Sequence, residues 1–507
     1  MGAGQSIACA MPADYTMSSE KTVAPSAAEI ERYVTKVRQG VEDSIESFHA
    51  RYQRYLSSFE PDVEVLKKCT ADLVAELHSG LELHKESPSG TVDASKCCLK
   101  MLDAYVPQAP SGDEKGVFYA LDFGGSNFRA LRCAMEGGRI QMTAKKASLL
   151  DYECELPKGL LDPKATATMM FDYFATICRS FMEENGDVEA KSGFQCGFTF
   201  SYPCSLRSLR IGELVTWTKG FETGRATRDP VEGNDVGMLM NQAFRRHGVP
   251  LTINCIANDT VGTLLSSAYV LEPSAPPCMI GVILGTGMNA AYVDERAVEH
   301  GYQGPLINIE AGNYNKSLPR TNIDYEIDFA DTGARGYQQL EKMVSGAYLG
   351  EMVRRMVVKV FQYKCTPRMW QVGSFSAGDA SVCLGDKSAS LVVVDKKCRE
   401  QWGCEFSIEE LGWVKDLCEV VFRRSAALAA VLVAGIAIKT GKLQEAIGGL
   451  TVGIDGSLWK CNPKYRADLK TYLGHILGQE EANLITLVNS DDGSGLGAAI
   501  LSAVADK

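Results

Sequence analysis

The chain has 507 residues, 45% apolar and 23% charged, which is ordinary globular composition, sufficient for two or three domains with cores of their own and against long disorder. Its formal net charge of −11 argues against a broad nucleic-acid footprint and is compatible with an anionic ligand held locally. Seventeen cysteines run from Cys9 to Cys461 without C-x-x-C spacing, six histidines do not cluster with them, and the start has no secretory signal pattern, so they read as reduced cytoplasmic thiols rather than zinc ligands.

Met1-Gly2-Ala3-Gly4-Gln5-Ser6 fits the pattern for myristoylation of Gly2, and Cys9 offers a second acyl site, as stable membrane association requires; an unmodified start is the alternative. Residues 1–27, rich in Ser, Ala, Pro and Thr, predict a flexible lead-in. Apolar residues at three- and four-residue steps predict one helix from Ala28 to Phe59 and another from Val63 to Leu83. Val117 to Cys133 reads as a hairpin with Asp122-Phe123-Gly124-Gly125-Ser126 at its tip. Two readings of that tip are open: a metal-phosphate loop, with Asp122 holding Mg²⁺ directly or through water, or a tight turn capped by Asp122.

Ile140 to Leu150 predicts a strand, Ala165 to Phe181 a helix, and Phe194 to Phe200 a strand that runs into Ser201. Thr218 and Lys219 follow an apolar segment, and Val236 to Arg246 is helical. Leu251 to Ile256 is a strand ending on Asn258-Asp259, with a helix after it. Ligands gather outside the carboxyl ends of strands in open α/β folds, so Asp259 is a candidate for chemistry; capping of the helix is the equal alternative. Cys278 to Val293 repeats the hairpin plan around Gly285-Thr286-Gly287, which suggests two similar lobes, each with a phosphate loop. Tyr348 to Phe361 is helical and Phe375 to Lys387 reads as a Ser/Gly/Asp-rich loop. Ile408 to Lys442 holds one or two long helices, and the apolar run Ala426 to Ile438 is too short to cross a bilayer and reads as a core helix. Leu450 to Leu458 is a strand and turn, Leu484 to Val488 a strand, and Ala498 to Val504 a short closing helix.

Seven blocks, LDFGGSNFR at 121–129, GFTFSYP at 197–203, WTKGF at 217–221, ANDTVGTL at 257–264, GTGMNA at 285–290, GIDGS at 453–457 and DDGSGLGAA at 491–499, resemble the hexokinase family in family order from about Ala28 to Lys507. The resemblance implies a two-lobed α/β fold of the actin-like ATPase (ribonuclease H-like) type with an interlobe cleft. It also implies ATP-dependent phosphorylation of a hexose, D-glucose foremost, at its 6-hydroxyl, the first step of glycolysis. Residues 28–111 and 256–490 would form the large lobe, 112–255 the small lobe, and 491–507 a helix returning to the small lobe. Each block occurs once, so one kinase unit is expected.

On the same resemblance Asp259 is the general base, with Lys219 beside it, and Ser201, Thr218, Lys219, Asn258, Asn289, Glu310 and Glu341 bind the sugar. Asp122, Gly124, Gly125, Ser126, Asn127, Gly285, Thr286, Gly287, Asp455, Gly456 and Ser457 take the nucleotide, and Asp122 stands near the metal. The implied cofactors are ATP and Mg²⁺, and the partners a small-molecule hexose and MgATP, with no nucleic acid. Departures from the family pattern are Ala311, Tyr314 and Lys316 after Glu310, which predict a looser wall, Tyr202 in place of Phe, and Leu496 in place of a cation. The altered wall after Glu310 and the acylation pattern at the start leave a second expectation, a catalytically weak sugar sensor or membrane scaffold. An actin- or chaperone-like ATPase would not explain the Ser201 and Thr218-Lys219 blocks.

Overall fold

A computed structural model describes residues 45–86, 92–125, 127–137, 139–217, 220–272, 274–445, 448–490 and 492–505. Gly2, Cys9, the segment from Ala28 to Ser44, Ser126, Thr218, Lys219 and Asp491 lie outside the described residues.

In chain order the elements are α1 (Ile45–Phe59), α2 (Val63–Lys85), β1 (Leu102–Asp103), β2 (Lys115–Phe123), β3 (Asn127–Glu136), β4 (Ile140–Ser148), α3 (Ala167–Glu184), β5 (Phe194–Phe200), β6 (Cys204–Ser208), β7 (Ile211–Leu214), α4 (Val236–His247), β8 (Leu251–Ala257) and α5 (Asp259–Val270). They continue with β9 (Cys278–Leu284), β10 (Met288–Val293), β11 (Leu306–Asn308), α6 (Asn322–Ala330), α7 (Gln339–Val344), α8 (Gly346–Val360), α9 (Ala377–Leu384), α10 (Val392–Trp402) and α11 (Ile408–Thr440). The last are β12 (Leu450–Asp455), α12 (Ser457–Lys460), α13 (Pro463–Leu477), α14 (Gln479–Ala482), β13 (Ile485–Asn489) and α15 (Gly493–Ala505).

Two sheets share one plan. The first has the order β4-β3-β2-β5-β8, and the second, with β1 added at one edge, β11-β10-β9-β12-β13. In each an antiparallel hairpin (β2-β3 or β9-β10) lies beside two parallel strands. The two glycine-bearing hairpin tips therefore occupy equivalent places, as the repeated sequence pattern predicts.

Helices α5 and α15 join the sheets. Gly281 of β9 lies so close to α5 that a Cβ there would stand 2.5 Å from the Thr260 carbonyl oxygen, and a Cβ on Gly197 of β5 would stand 2.1 Å from that of Ala498 in α15. The two helices also touch backbone to backbone, because a Cβ on Gly497 would fall 2.1 Å from the Gly262 carbonyl oxygen. Asn254 of β8 donates to the Ser502 carbonyl at 3.0 Å, and Thr199 of β5 to that of Ser494 at 2.8 Å.

The large core is organised around α11, a 33-residue helix started by a Ser407–Glu410 capping box. It is longer than its apolar run suggests, and by length and composition alone it could cross a bilayer, but 89% of its apolar window is buried inside the protein. Arg424 of α11 makes a bidentate pair with Asp324 of α6 at 2.7 and 2.8 Å, with both side chains almost wholly buried, and stacks over Phe59. Burial raises the cost of the Asp324 charge, but Arg424 and the Thr321 hydrogen bonds hold its carboxyl below the usual range.

The structure corrects the reading of Phe375 to Lys387 as a loop. Ser376 and Asp379 close a capping box, and Ala380 and Cys383 of α9 are buried, so polar residues that read as loop formers act as helix caps. The closing helix begins at Gly493 rather than Ala498, because its early glycines permit the helix crossing rather than a turn. Helix α13, unmarked in the sequence reading, carries Asn462 as N-cap and Pro463 at its first position. The sixteen cysteines among the described residues are all free.

Replacement of Gly497 by Ala is expected to overpack the crossing and destabilise the protein by about 1–3 kcal/mol, read as a lower urea midpoint; an unchanged midpoint would refute the close approach. Arg424→Ala, which strands a buried carboxylate, should cost about 3–5 kcal/mol at pH 7. Because the native Asp324 pKa is depressed, the pair's contribution is complete above about pH 4, the unfolded aspartate value, and is lost as pH falls through the lower native one. Urea unfolding of wild type at stepped pH checks that sign.

Candidate active site

The site is built where strand ends meet the first turns of α5 and α15. Asn258 caps α5, its side-chain oxygen accepting from the Thr260 backbone N–H at 2.9 Å, and Asp259 opens the helix at the carboxyl end of β8. The capping alternative thus holds for Asn258, whose amide nitrogen has no partner among the described residues. Asp259 makes interactions of its own and is half-buried. One turn further on, Gly262 lies against the carbonyls of Gly493 and Ser494.

That Asp492-Gly493-Ser494 segment ties both glycine tips together. Ser494 Oγ donates to Asp122 Oδ2 at 3.1 Å on the β2–β3 side, and the Gly493 N–H donates to Asp455 Oδ2 at 3.1 Å on the β12 side. Arg129, opposite Asp122 in the hairpin register, pairs with Asp122 and reaches Asp492 Oδ1 at 2.6 Å. Burial disfavours the Arg129 charge, but Asp122 and Asp492 hold it above its ordinary pKa. Burial pushes the Asp492 carboxyl up against the pull of Arg129, and the Asp122 and Asp455 charges add to the rise. Lys460 stands 2.7 Å from Asp455 Oδ1. Three carboxylates and two cations therefore face one small volume between the lobes.

The remaining tip residues fall around the same volume. The Gly285 N–H bonds the Gly287 carbonyl at 3.0 Å, closing a tight turn, and the Gly285 and Thr286 carbonyls accept from Gly346 and Ala347 of α8. Gly456, at φ +111, packs on Gly285 and leads into Ser457, the first residue of α12. Gly124 abuts Ser201, Gly125 faces open space, and Asn127 starts β3. An aromatic cluster of Phe123, Phe200, Tyr202, Trp217 and Phe221 supports these ends. The Tyr202 hydroxyl, absent from the family pattern, donates to the Gly125 carbonyl at 3.3 Å. Trp217 and Phe221 are buried, and Glu232 accepts from the Trp217 N–H at 2.6 Å.

On the large-lobe side Glu310 and Gln338 both adopt left-handed backbone, at φ +54 and +55, a costly conformation held by the surrounding packing. Asn289 Nδ2 donates to Asn308 Oδ1 at 2.9 Å and, more weakly, to Glu310 Oε1 at 3.4 Å, while its oxygen accepts from the Ala311 N–H at 3.0 Å. Glu341 Oε1 accepts from the Met288 N–H at 3.2 Å and sits so close to Gly287 that a Cβ there would be 2.8 Å away. The expected looser wall behind Glu310 is not what the structure has. Ala311 is fully buried, Gly312 presses on Gln338 and Glu341, and Tyr314 is buried with its hydroxyl on the Cys69 carbonyl at 2.8 Å. Leu496 is likewise apolar for a reason, since it belongs to the cluster that joins α15 to β3 and α5.

The structure thus brings together Asp122, Gly124, Gly125, Ser201, Asn258, Asp259, Gly285, Gly287, Asp455 and Gly456, and places Asn289, Glu310 and Glu341 as one group on the large lobe. Sequence reasoning gave no role to Arg129, Asn308, Asp492 and Ser494. The hairpin register alone puts Arg129 opposite Asp122, and Asp492 and Ser494 lie within the 491–499 block, whereas Asn308 carries no local signal.

Profiles described as hexokinase match residues 51–269 and 279–504. The chain is 42% identical to a Plasmodium falciparum protein named hexokinase over 458 residues, 90% of this chain and 92% of that one. A crystal structure titled hexokinase superposes with a TM-score of 0.84 at 39% identity, covering 90% of this chain and 99% of the other. A Schistosoma mansoni hexokinase complexed with glucose gives 0.71 at 29% identity, covering 91% and 99%. With two lobes of one plan around these tips, the chain belongs to the hexokinase family and is an enzyme of ATP-dependent hexose phosphorylation.

Proposed function

We propose that this protein transfers the γ-phosphoryl group of MgATP to the 6-hydroxyl of D-glucose, with Asp259 as general base. The observation that carries the assignment is the convergence on residues 492–494 of both glycine tips, through Asp122 and Asp455, and of the first turn of α5 that begins with Asp259. The Schistosoma relative with glucose bound supports the choice of acceptor.

The donor set fits MgATP. Asp122 is an oxygen ligand of the kind Mg²⁺ takes, directly or through water, and the Gly124-Gly125-Ser126, Gly285-Thr286-Gly287 and Gly456-Ser457 turns offer backbone N–H groups and close approach to phosphates. Bound Mg²⁺ would supply neutralisation of charge on the phosphates. In this reading Glu310, Glu341, Asn289 and Asn258 hold sugar hydroxyls with Ser201, Thr218 and Lys219, a mixed set of donors and acceptors suited to a pyranose. Asp259 accepts the proton of the oriented 6-hydroxyl, and Arg129 and Lys460 offset negative charge beside the transferring group. Closure of the small lobe would exclude water from the oriented pair.

Asp259→Ala should lower kcat about 10²- to 10⁴-fold in a coupled ADP assay while glucose binding by calorimetry persists; near-normal turnover would remove Asp259 as base. Rates on glucose, mannose, fructose and glucosamine should rank glucose first in kcat/KM, and stoichiometric ADP formation separates a kinase from a sugar sensor.

A further inference from the structure

Asn308 is absent from the set of residues assigned above, yet the Glu310 group is assembled on it. It ends β11, where its backbone is held on both sides, paired with Leu102 of β1 and Ala291 of β10. Its side chain is buried, at 6% exposure, and its two polar ends serve different partners. Nδ2 donates to Glu310 Oε1 at 2.9 Å, the shorter of the two amide bonds that oxygen accepts. Oδ1 accepts from Asn289 Nδ2 at 2.9 Å and, at 3.4 Å, from the Glu310 backbone N–H. Among the described residues Glu310 Oε2 has no partner.

We propose that Asn308 is the positioning residue of the hexose site: it occupies Oε1 of Glu310 and aligns Asn289, so that Oε2 is presented to a sugar hydroxyl. The inference rests on the reading of Glu310 as a sugar ligand. An amide at this place donates to the carboxylate and accepts from Asn289 at once, which an ionised carboxylate cannot do. It also anchors a residue whose left-handed backbone would otherwise leave the side chain free to swing. A carboxylate in its place would face Glu310 with like charge, and such a pair keeps one proton to a much higher pH than either group alone.

Asn308→Asp therefore provides a test that a packing role would not satisfy. At pH 8 glucose affinity, read by calorimetry on the full chain, should fall by roughly 10- to 100-fold, the range for loss of a hydrogen bond to a charged group, with the KM for ATP unchanged. As the pH is lowered to 5.5 the affinity should recover, because the shared proton restores a donor toward Glu310, while wild type stays nearly flat. Wild-type affinity at pH 8, or a loss that does not recover on acidification, overturns the proposal. Should the aspartate variant unfold at pH 8, Asn308→Ala should raise the glucose KM about 10-fold at every pH with the ATP KM unchanged, and an unchanged glucose KM overturns it equally. Glu310→Ala separates the two layers. If it leaves glucose affinity intact, the sugar-ligand reading fails and the positioning role with it. If it abolishes binding while Asn308→Asp binds as wild type, the positioning role alone fails.

Discussion

Two helices meet backbone to backbone at Gly262 and Gly497, and the rest of the molecule hangs on that contact. Each helix is also pressed against a sheet, α5 on β9 through Gly281 and α15 on β5 through Gly197, so one crossing couples two layers that would otherwise be separate cores. No side chain larger than hydrogen fits at these points without moving a carbonyl. Interiors pack at near-crystalline density, so such an intrusion is transmitted rather than absorbed. The same contact places Asp259, three residues from Gly262, and the Gly493-Ser494 carbonyls, against which Gly262 lies.

The charges around the tips follow from this arrangement. Asp122 and Asp455 come from different sheets, and only the 492–494 segment brings their hydrogen bonds together. Three carboxylates cannot share a half-buried volume unless cations compensate them, and Arg129 and Lys460 do so. Burial raises the Asp492 carboxyl against the pull of Arg129, and the neighbouring Asp122 and Asp455 charges add to the rise. A metal-bound polyphosphate, which brings both signs of charge, suits such a volume better than a bare anion does.

Much of this was legible before any coordinates. Alternation and glycine turns located both hairpins, and their repetition implied two sheets of one plan, because strand periodicity and turn chemistry are local. Asp259 and Ser201 were marked by their places at strand ends and by family order, and Glu310 by family order alone. Failures came where one residue type serves two ends: Ser376 and Asp379 cap a helix instead of opening a loop, and the glycines of 493–497 admit a neighbouring helix instead of breaking their own. Asn308 was passed over because its value lies in partners at 289 and 310 that meet it only once the sheet has formed. Leu496 and Ala311 counted as losses against the family pattern, yet each fills a packed place that no one-dimensional comparison displays.

The crossing also has a mechanical side. Gly262 is three residues from Asp259, about 4.5 Å along a helix that rises 1.5 Å per residue. A rotation of one lobe against the other that keeps the crossing in register displaces each atom in proportion to its distance from that point. Residues at the cleft rim then travel far while the carboxylate beside the pivot hardly moves. Lever arms thus divide the labour: the rim is free for wide excursions, and Asp259 keeps its aim throughout.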